Sequence, residues 1–370
     1  MRVTLFARVN PVLNPYILLY KETLERQGLI VHLEREFNLI WLITRWKSCD
    51  AIHLHWIGAA YRHDEKKIQS GLAKKLSNNR LYRILRGGLR LASFSAAFFL
   101  AKLQGKIVVY TVHNLNPHYE QSRPFTILNR IAHHLVLSLA DNVHVHNHYT
   151  RKVLETTYKR KDSVTVVPLG NYIGRYPNQI SKLEARRQLG LPDNAFVYLS
   201  LGLLRPYKGV EDLVDAFEKL ESPIGRLLIV GRVSKASYKE KLSSLVQNNP
   251  DIKLVPEFVP DEAVQLYMNA CDICVLPYKD VNTSSAAVLA LSFGRPTIAP
   301  AIASFPELIT PETGILYDPS QANALVSALQ QARQHAWSES EILAYGHQFD
   351  WDKLGPQLAK LYQIAYDRQR

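Results

Sequence analysis

The chain is predicted to be an α/β protein built from two doubly wound, Rossmann-like domains facing a cleft. Three observations carry this expectation. Short β-rich runs alternate with helical stretches along nearly the whole sequence, the pattern of repeated βαβ units. Most of those runs are continuously apolar rather than alternating, as parallel strands covered on both faces require. A length of 370 residues exceeds one ordinary core, so two domains are the natural division.

The strands of the first half are expected at Val3–Ala7, Ile30–Leu33, Ala51–His55, Ile107–Val112, Asn142–His146 and Val164–Val167. Those of the second half are expected at Phe196–Leu201, Arg226–Val230, Ile252–Leu254, Ile273–Leu276, Thr297–Ala299 and Gly314–Tyr317. Pro168 to Pro177 is rich in glycine and proline and runs into a short polar helix ending at Leu189, which makes 171–194 the best candidate linker. It separates a first domain, 1–170, from a second, 195–350. Ligands of such sheets bind at the carboxyl ends of the strands.

Composition narrows the class. With 47% hydrophobic and 21% charged residues the chain is globular, not disordered. Three cysteines, Cys49, Cys271 and Cys274, are an odd number in a long chain, which argues against a disulfide framework and for a reducing, cytoplasmic setting. The N-terminal Met-Arg-Val-Thr-Leu-Phe-Ala reads as a first strand and not as a signal peptide. No run reaches about eighteen uninterrupted apolar residues, so no membrane span is expected.

A formal charge of +12 calls for an anionic partner. Lys74, Lys75, Arg80, Arg83, Arg86 and Arg90 cluster just before the apolar run Leu91 to Leu100, with Lys102 and Lys106 beyond it. A basic segment running into an aliphatic helix predicts contact of 80–106 with an anionic membrane surface, the alternative being a core helix with a solvated end. Nucleic acid is not an expected partner, because no helix-turn-helix, zinc-finger or aromatic-basic pattern is present.

The chemistry concentrates in Leu201-Gly-Leu-Leu-Arg-Pro-Tyr-Lys-Gly-Val210. This glycine-bearing turn joins an apolar strand to a helix, so backbone N–H groups and the helix dipole favour an anion. Arg205 and Lys208 add full charge, and a phosphate or diphosphate is the expected ligand. Further on come Leu227-Leu-Ile-Val-Gly231, Phe258-Val-Pro-Asp-Glu262, Ala270 to Tyr278, Thr283 to Pro296 and Phe305-Pro-Glu-Leu-Ile309.

Together, in this order and spacing, these blocks resemble a family-4-type (group 1) glycosyltransferase of the GT-B fold. The resemblance extends to Phe349-Asp-Trp351 and the following amphipathic helix to 370, which is similar to the segment that returns to the first domain in that fold. It implies that Gly202, Arg205 and Lys208 bind the diphosphate of a nucleotide-sugar and stabilise it as it leaves. It further implies that Gly231 lets the backbone approach the nucleoside, where a plain strand-end glycine is the alternative. Thr283, Ser284 and Ser285 precede a helix and would offer hydroxyls and free N–H groups, one of them serving as its N-cap.

The sequence departs from the family at one place. Retaining members carry two glutamates where Val281 and Leu289 stand here. Neither role carries over, and retention or inversion at the sugar stays open. The Thr-Ser-Ser loop is more similar to exopolysaccharide and glycolipid mannosyltransferases, which implies GDP-mannose as donor, then a UDP-sugar.

The first domain is expected to hold the acceptor. His113 and Asn114 end a buried strand in a polar turn, and an imidazole there can bind a hydroxyl or take its proton. Asn14 and Tyr16 follow the first strand and are further candidates for the acceptor groove. His53 and His55 precede Trp56 at another strand end, and His144, His146 and His148 alternate as if on one strand face. These pairs and Cys271-Asp-Ile-Cys274 lack the spacing of a zinc site, so no metal or other cofactor is expected and the cysteines read as core. The predicted activity is transfer of a sugar from a nucleotide-sugar to a hydroxyl of a saccharide or lipid-linked acceptor, with Arg205, Lys208 and His113 as the catalytic candidates. A catalytically silent binding protein or an epimerase of the same fold are the alternatives.

Overall fold

The computed structural model describes residues 1–8, 15–61, 79–114, 123–220 and 225–369. They form two units, Met1–Pro168 with Trp351–Arg370, and Leu169–Asp350.

The first unit is a parallel sheet of β1 (Arg2–Phe6), β2 (Ile30–Glu34), β3 (Ala51–His55), β4 (Ile107–Thr111), β5 (Asn142–Val145) and β6 (Val164–Val166), in the order β2-β1-β3-β4-β5-β6. Its helices are α1 (Tyr16–Arg26), α2 (Leu39–Arg45), α3 (Arg80–Leu103), α4 (Arg123–Leu139) and α5 (His148–Thr157). Every residue of β3 and β4 is buried, as the apolar runs anticipate. Alternate side chains serve different faces. Phe6, Ile52, Leu54, Val108, Tyr110 and Val143 join the core beneath α2, α3 and α4.

The opposite face receives α1 and the C-terminal helix Trp351–Gln369, whose buried Trp351, Leu354, Leu358, Leu361, Tyr362 and Ala365 repeat at helical spacing. Asn142 Nδ2 donates to Leu361 O at 3.1 Å, holding that helix on β5.

The second unit is again parallel: β7 (Val197–Leu201), β8 (Arg226–Val230), β9 (Ile252–Val255), β10 (Ile273–Val275), β11 (Thr297–Pro300) and β12 (Gly314–Tyr317), in the order β12-β11-β10-β7-β8-β9. Helices α6 (Lys182–Leu189), α7 (Val210–Glu218), α8 (Ala236–Val246), α9 (Asp261–Ala270), α10 (Ser285–Ser292), α11 (Phe305–Leu308), α12 (Ala324–Ala332) and α13 (Glu339–Gly346) accompany it. Tyr198, Leu227, Ile229, Ile273 and Ile298 pack with residues of α7, α8 and α12. Their neighbours Val197, Leu199, Leu228, Val230 and Cys274 pack with α6, α9 and α10. Two covered faces explain why these strands read as unbroken apolar runs. Cys271 and Cys274 are buried in the second of these clusters.

The stretch 171–194, expected as a linker, is built into the second unit instead. Asn171 N donates to Phe349 O and Tyr172 N to Ser292 Oγ, each at 2.9 Å. The buried Arg186 donates to Asp272 at 2.7 Å and to Ala270 O at 3.1 Å. Its glycines and prolines mark loops, but Asn171, Tyr172 and Arg186 bond the stretch into this core.

Candidate functional site

In the second unit, the loop after β7 runs from Gly202 through Arg205 and a 3-10 turn, Pro206–Lys208, into α7. Gly209 makes the sharp entry at φ +68°, where a Cβ would lie 2.0 Å from Pro277 O. No other residue fits there. This contact sets the loop against the segment after β10, and Lys279 N donates to Tyr207 O at 2.8 Å across the same seam. The Lys208 ammonium sits over the ring of Tyr278, 3.6 Å from its centre, and 5.5 Å from that of Tyr207. Desolvation in this aromatic niche, with Arg205 nearby, pulls the Lys208 amine down to about 7.

Gly231 has a structural reason of its own. At φ +140° its Cβ would lie 1.7 Å from Gly202 O, where the ends of β7 and β8 converge. Ser284 is the N-cap of α10, accepting from Ala287 N at 3.2 Å, and is buried. Ser285 is exposed and Thr283 half-exposed beside it. Val281 is packed in a cluster with Leu276, Tyr278, Ala287, Ala299, Phe305 and Ile309, and Leu289 lies against the α6–α9 core. Hydrocarbon therefore fills both positions where a carboxylate would mark a retaining relative. Tyr207 and Tyr278 are not among the residues the sequence singles out; a tyrosine following Leu276-Pro277 at a strand end is the one signal it offers.

In the first unit the strand-end histidines come together on the face under α1 and the C-terminal helix. Register places His53 opposite Val109, His55 opposite Thr111, and Thr111 opposite His144. A directed hydrogen-bond chain results. His144 Nε2 donates to Val167 O at 3.0 Å, so its Nδ1 accepts from Thr111 Oγ1, also at 3.0 Å. Thr111 Oγ1 then accepts from His53 Nε2 at 2.7 Å, and His53 Nδ1 accepts from Tyr362 OH at 2.6 Å.

His55 Nδ1 lies 3.0 Å from His113 Nε2, and His146 Nδ1 donates to Val167 O at 3.3 Å. Burial, then the neighbouring imidazoles, hold His53, His55, His113 and His146 well below the usual histidine range, while burial takes His144 down to about 4. All five are neutral at pH 7.

Tyr16 meets His113 edge-on, with ring centres 5.1 Å apart, and Asn114 is half-exposed next to it. Asn14 and His118 lie outside the described residues. His148 does not share the face of His144 and His146: β5 stops at Val145, Asn147 caps α5 by accepting from Thr150 N at 2.8 Å, and His148 is exposed in its first turn. Among the described residues no group of three or more His, Cys, Asp or Glu is arranged to hold a metal ion. A cavity of about 600 Å³ opens at the amino ends of β7 and β11, lined by Lys182, Phe196, Arg295, Trp337 and Glu339, at the other end of the sheet from Lys208.

Several cations of the basic segment have partners within the first unit. Arg90 pairs with Glu36 at 3.1 Å, Lys102 with Asp141, and Lys106 donates to Cys49 O at 2.6 Å. Arg83 and Arg86 lie over the rings of Phe125 and Tyr82. Leu81, Leu85, Leu89, Phe99, Leu100 and Leu103 are exposed, and on a helix of about 100° per residue they occupy one arc with Ala92 and Ala96. By length and composition α3 could cross a membrane, but Leu91, Phe94, Ala97, Phe98 and Ala101 bury its other face in the unit's core.

Comparison with known proteins places this geometry. Residues 181–342 match the family described as glycosyl transferases group 1. A GDP-mannose:glycolipid 4-beta-D-mannosyltransferase of Xanthomonas campestris pv. campestris is 28% identical over 330 residues, 88% of this chain and 81% of that protein. A D-inositol 3-phosphate glycosyltransferase of Corynebacterium aurimucosum is 27% identical over 70% of this chain and 66% of its own. The structure of Anabaena HepE in complex with UDP-glucose superposes with a TM-score of 0.72 at 19% identity, covering 97% of this chain and 98% of that one. Sucrose-phosphate synthase from Thermosynechococcus elongatus gives 0.68 at 20% identity, covering 98% of each. The chain is a glycosyltransferase of the GT-B fold, and its second unit carries the group 1 glycosyl transferase domain.

Proposed function

We propose that this glycosyltransferase moves a sugar from a nucleoside-diphosphate donor, GDP-mannose first and a UDP-sugar next, to a hydroxyl of a saccharide or lipid-linked acceptor in polysaccharide or glycolipid synthesis. The observation that carries the reading is the Lys208 ammonium beside Arg205 at the carboxyl end of β7. The mannosyltransferase relative supports the guanine base and a lipid-borne acceptor, and the UDP-glucose complex of HepE supports the second choice.

In the reaction a bond forms between the acceptor oxygen and the anomeric carbon, and the bond from that carbon to the β-phosphate oxygen breaks. The diphosphate departs with the electron pair, and the acceptor loses its proton. Arg205, Lys208 and the α10 start with Thr283, Ser284 and Ser285 stabilise the departing charge, with no metal needed in this reading. Gly202 keeps the loop close to the phosphates, and Gly231 leaves room for the nucleoside. His113, with Asn114, Asn14 and Tyr16, serves the acceptor side. A neutral imidazole there binds a hydroxyl and takes its proton only as the transition state forms.

The protein acts in the cytoplasm, at the inner face of the membrane. The uncharged stripe of α3, with Ile40 and Ile43 of α2 also exposed, supports entry into the lipid interface. Paired cations within 80–106 leave less of the attraction to electrostatics than the charge alone suggests. The test is a donor panel of GDP-, UDP- and ADP-sugars with saccharide and lipid-linked acceptors. One donor class should turn over, and Arg205→Ala and Lys208→Ala should each lower kcat/KM about a hundredfold. Full turnover in both variants would remove the proposed diphosphate grip. A silent binding protein, the alternative that Val281 and Leu289 allow, would bind a donor and transfer nothing.

A further inference from the structure

We infer that Trp56 is a positioning residue for transfer, held in a strained backbone conformation so that its indole fixes the imidazole of His113. Trp56 directly follows β3 with φ +50° and ψ +70°, the left-handed region that a bulky side chain seldom occupies and that costs free energy to hold. Glycine would make the same turn into the 3-10 segment Ile57–Ala60 without strain. The ring is not there to fill the core, since Trp56 stays half-exposed.

What the conformation achieves is a stack. The indole and the His113 imidazole lie face to face, with centres 3.9 Å apart and planes 9° from parallel. His55, the residue before Trp56, holds the same imidazole through Nδ1 at 3.0 Å from His113 Nε2. Tyr16 closes the edge of both rings, at 5.1 Å from His113 and 5.9 Å from Trp56. Adjacent residues on a strand point to opposite faces, so His55 and Trp56 could not both reach one ring from an extended backbone. The left-handed step at Trp56 is what brings its side chain back to the imidazole that His55 already holds. Two consecutive residues of β3 and its end thus fix a ring carried by the end of β4.

The inference rests on the acceptor-side role proposed for His113, and the experiment separates the two. Trp56→Gly and Trp56→Phe are compared with the parent chain, and His113→Ala is measured beside them. Three readouts are taken: thermal midpoint, the ring-current shift of the His113 imidazole protons by NMR, and transfer kinetics with the best donor of the panel. In Trp56→Gly the midpoint should hold or rise because strain is relieved. The upfield shift of His113 should vanish, and kcat should fall at least about tenfold while donor KM moves by less than about threefold. Trp56→Phe should keep part of both the shift and the rate.

An unchanged His113 shift in Trp56→Gly would show that the stack does not hold the ring. A lost shift with parental kcat would show that transfer does not need it. Either result overturns the inference. If His113→Ala itself transfers at the parental rate, the role of His113 falls, and the positioning role of Trp56 falls with it.

Discussion

With Lys208 on the diphosphate as proposed, donor binding would be a proton-linked event. In the free protein its amine titrates near about 7 instead of 10.5, because the Tyr278 niche strips water from the charge and Arg205 repels it. In that reading a bound diphosphate supplies a counter-charge and carries the pKa back toward its ordinary value. Below about pH 7 the ammonium is present before and after binding, so affinity is flat there. Above it, the free protein must take up a proton to bind. If the bound pKa returns to 10.5, Kd rises about fivefold from pH 7 to 8 and about ninefold more by pH 9, with about 0.9 proton taken up near pH 8.

A nucleoside-diphosphate sugar suits the measurement, since its capped diphosphate keeps its charge across this range. Calorimetry in buffers of differing ionisation enthalpy reads both quantities. Lys208→Met should bind weakly and show neither the slope nor the uptake. A parental Kd constant from pH 7 to 9 with no proton taken up would refute the reasoning, because Lys208 would then not face the diphosphate.

The histidine face links stability to pH with the opposite dependence on acidity. Folded His144 of this face, and His133 of α4 beside Tyr110 on the sheet's other side, titrate at about 4, held down chiefly by burial, whereas their unfolded forms protonate near 6.5. Stability from these groups is therefore complete above about 6.5 and is lost as pH falls toward 4, by about 3 kcal/mol for each at the lower limit. Urea unfolding of the first unit at pH 7.5, 6.5 and 5.5 should show a falling midpoint, and a constant one would count against a neutral cluster. On the surface, Leu85→Glu with Leu89→Glu should abolish flotation with liposomes while leaving the thermal midpoint within a few degrees, since both leucines are exposed. Anionic vesicles should carry the parent chain better than neutral ones, and equal recovery would count against the electrostatic account.

Some of these features are legible in the amino-acid sequence. The twelve expected strands stand within a residue or two of their predicted places, most of them on continuous apolar runs, because a strand covered on both faces leaves that mark directly in sequence. The turn from Leu201 to Val210 is legible for the same kind of reason: an apolar strand, a glycine-bearing turn and a helix follow one another locally. Ser284 as an N-cap follows from the hydroxyl run before an apolar helix. The stretch 171–194 looks like a linker because loop composition does not reveal where buried bonds such as Arg186 to Asp272 will form. His148 looks like a strand residue because alternation continues past the strand's end, where Asn147 starts a helix.

By itself, the sequence determined which segments become strands and helices, the strand-to-helix turn that carries Arg205 and Lys208, and the absence of carboxylates at positions 281 and 289. Those properties depend on neighbours within a few residues or on side-chain type alone. Tertiary structure decided that Lys208 lies on Tyr278, that Trp56 stacks on His113 and that Tyr362 donates to His53. It also decided that Arg90 and Lys102 of α3 are paired while Leu81, Leu85, Leu89, Leu100 and Leu103 face outward. Each of these joins residues distant in the chain, through sheet register and helix docking, and no local pattern encodes such a meeting.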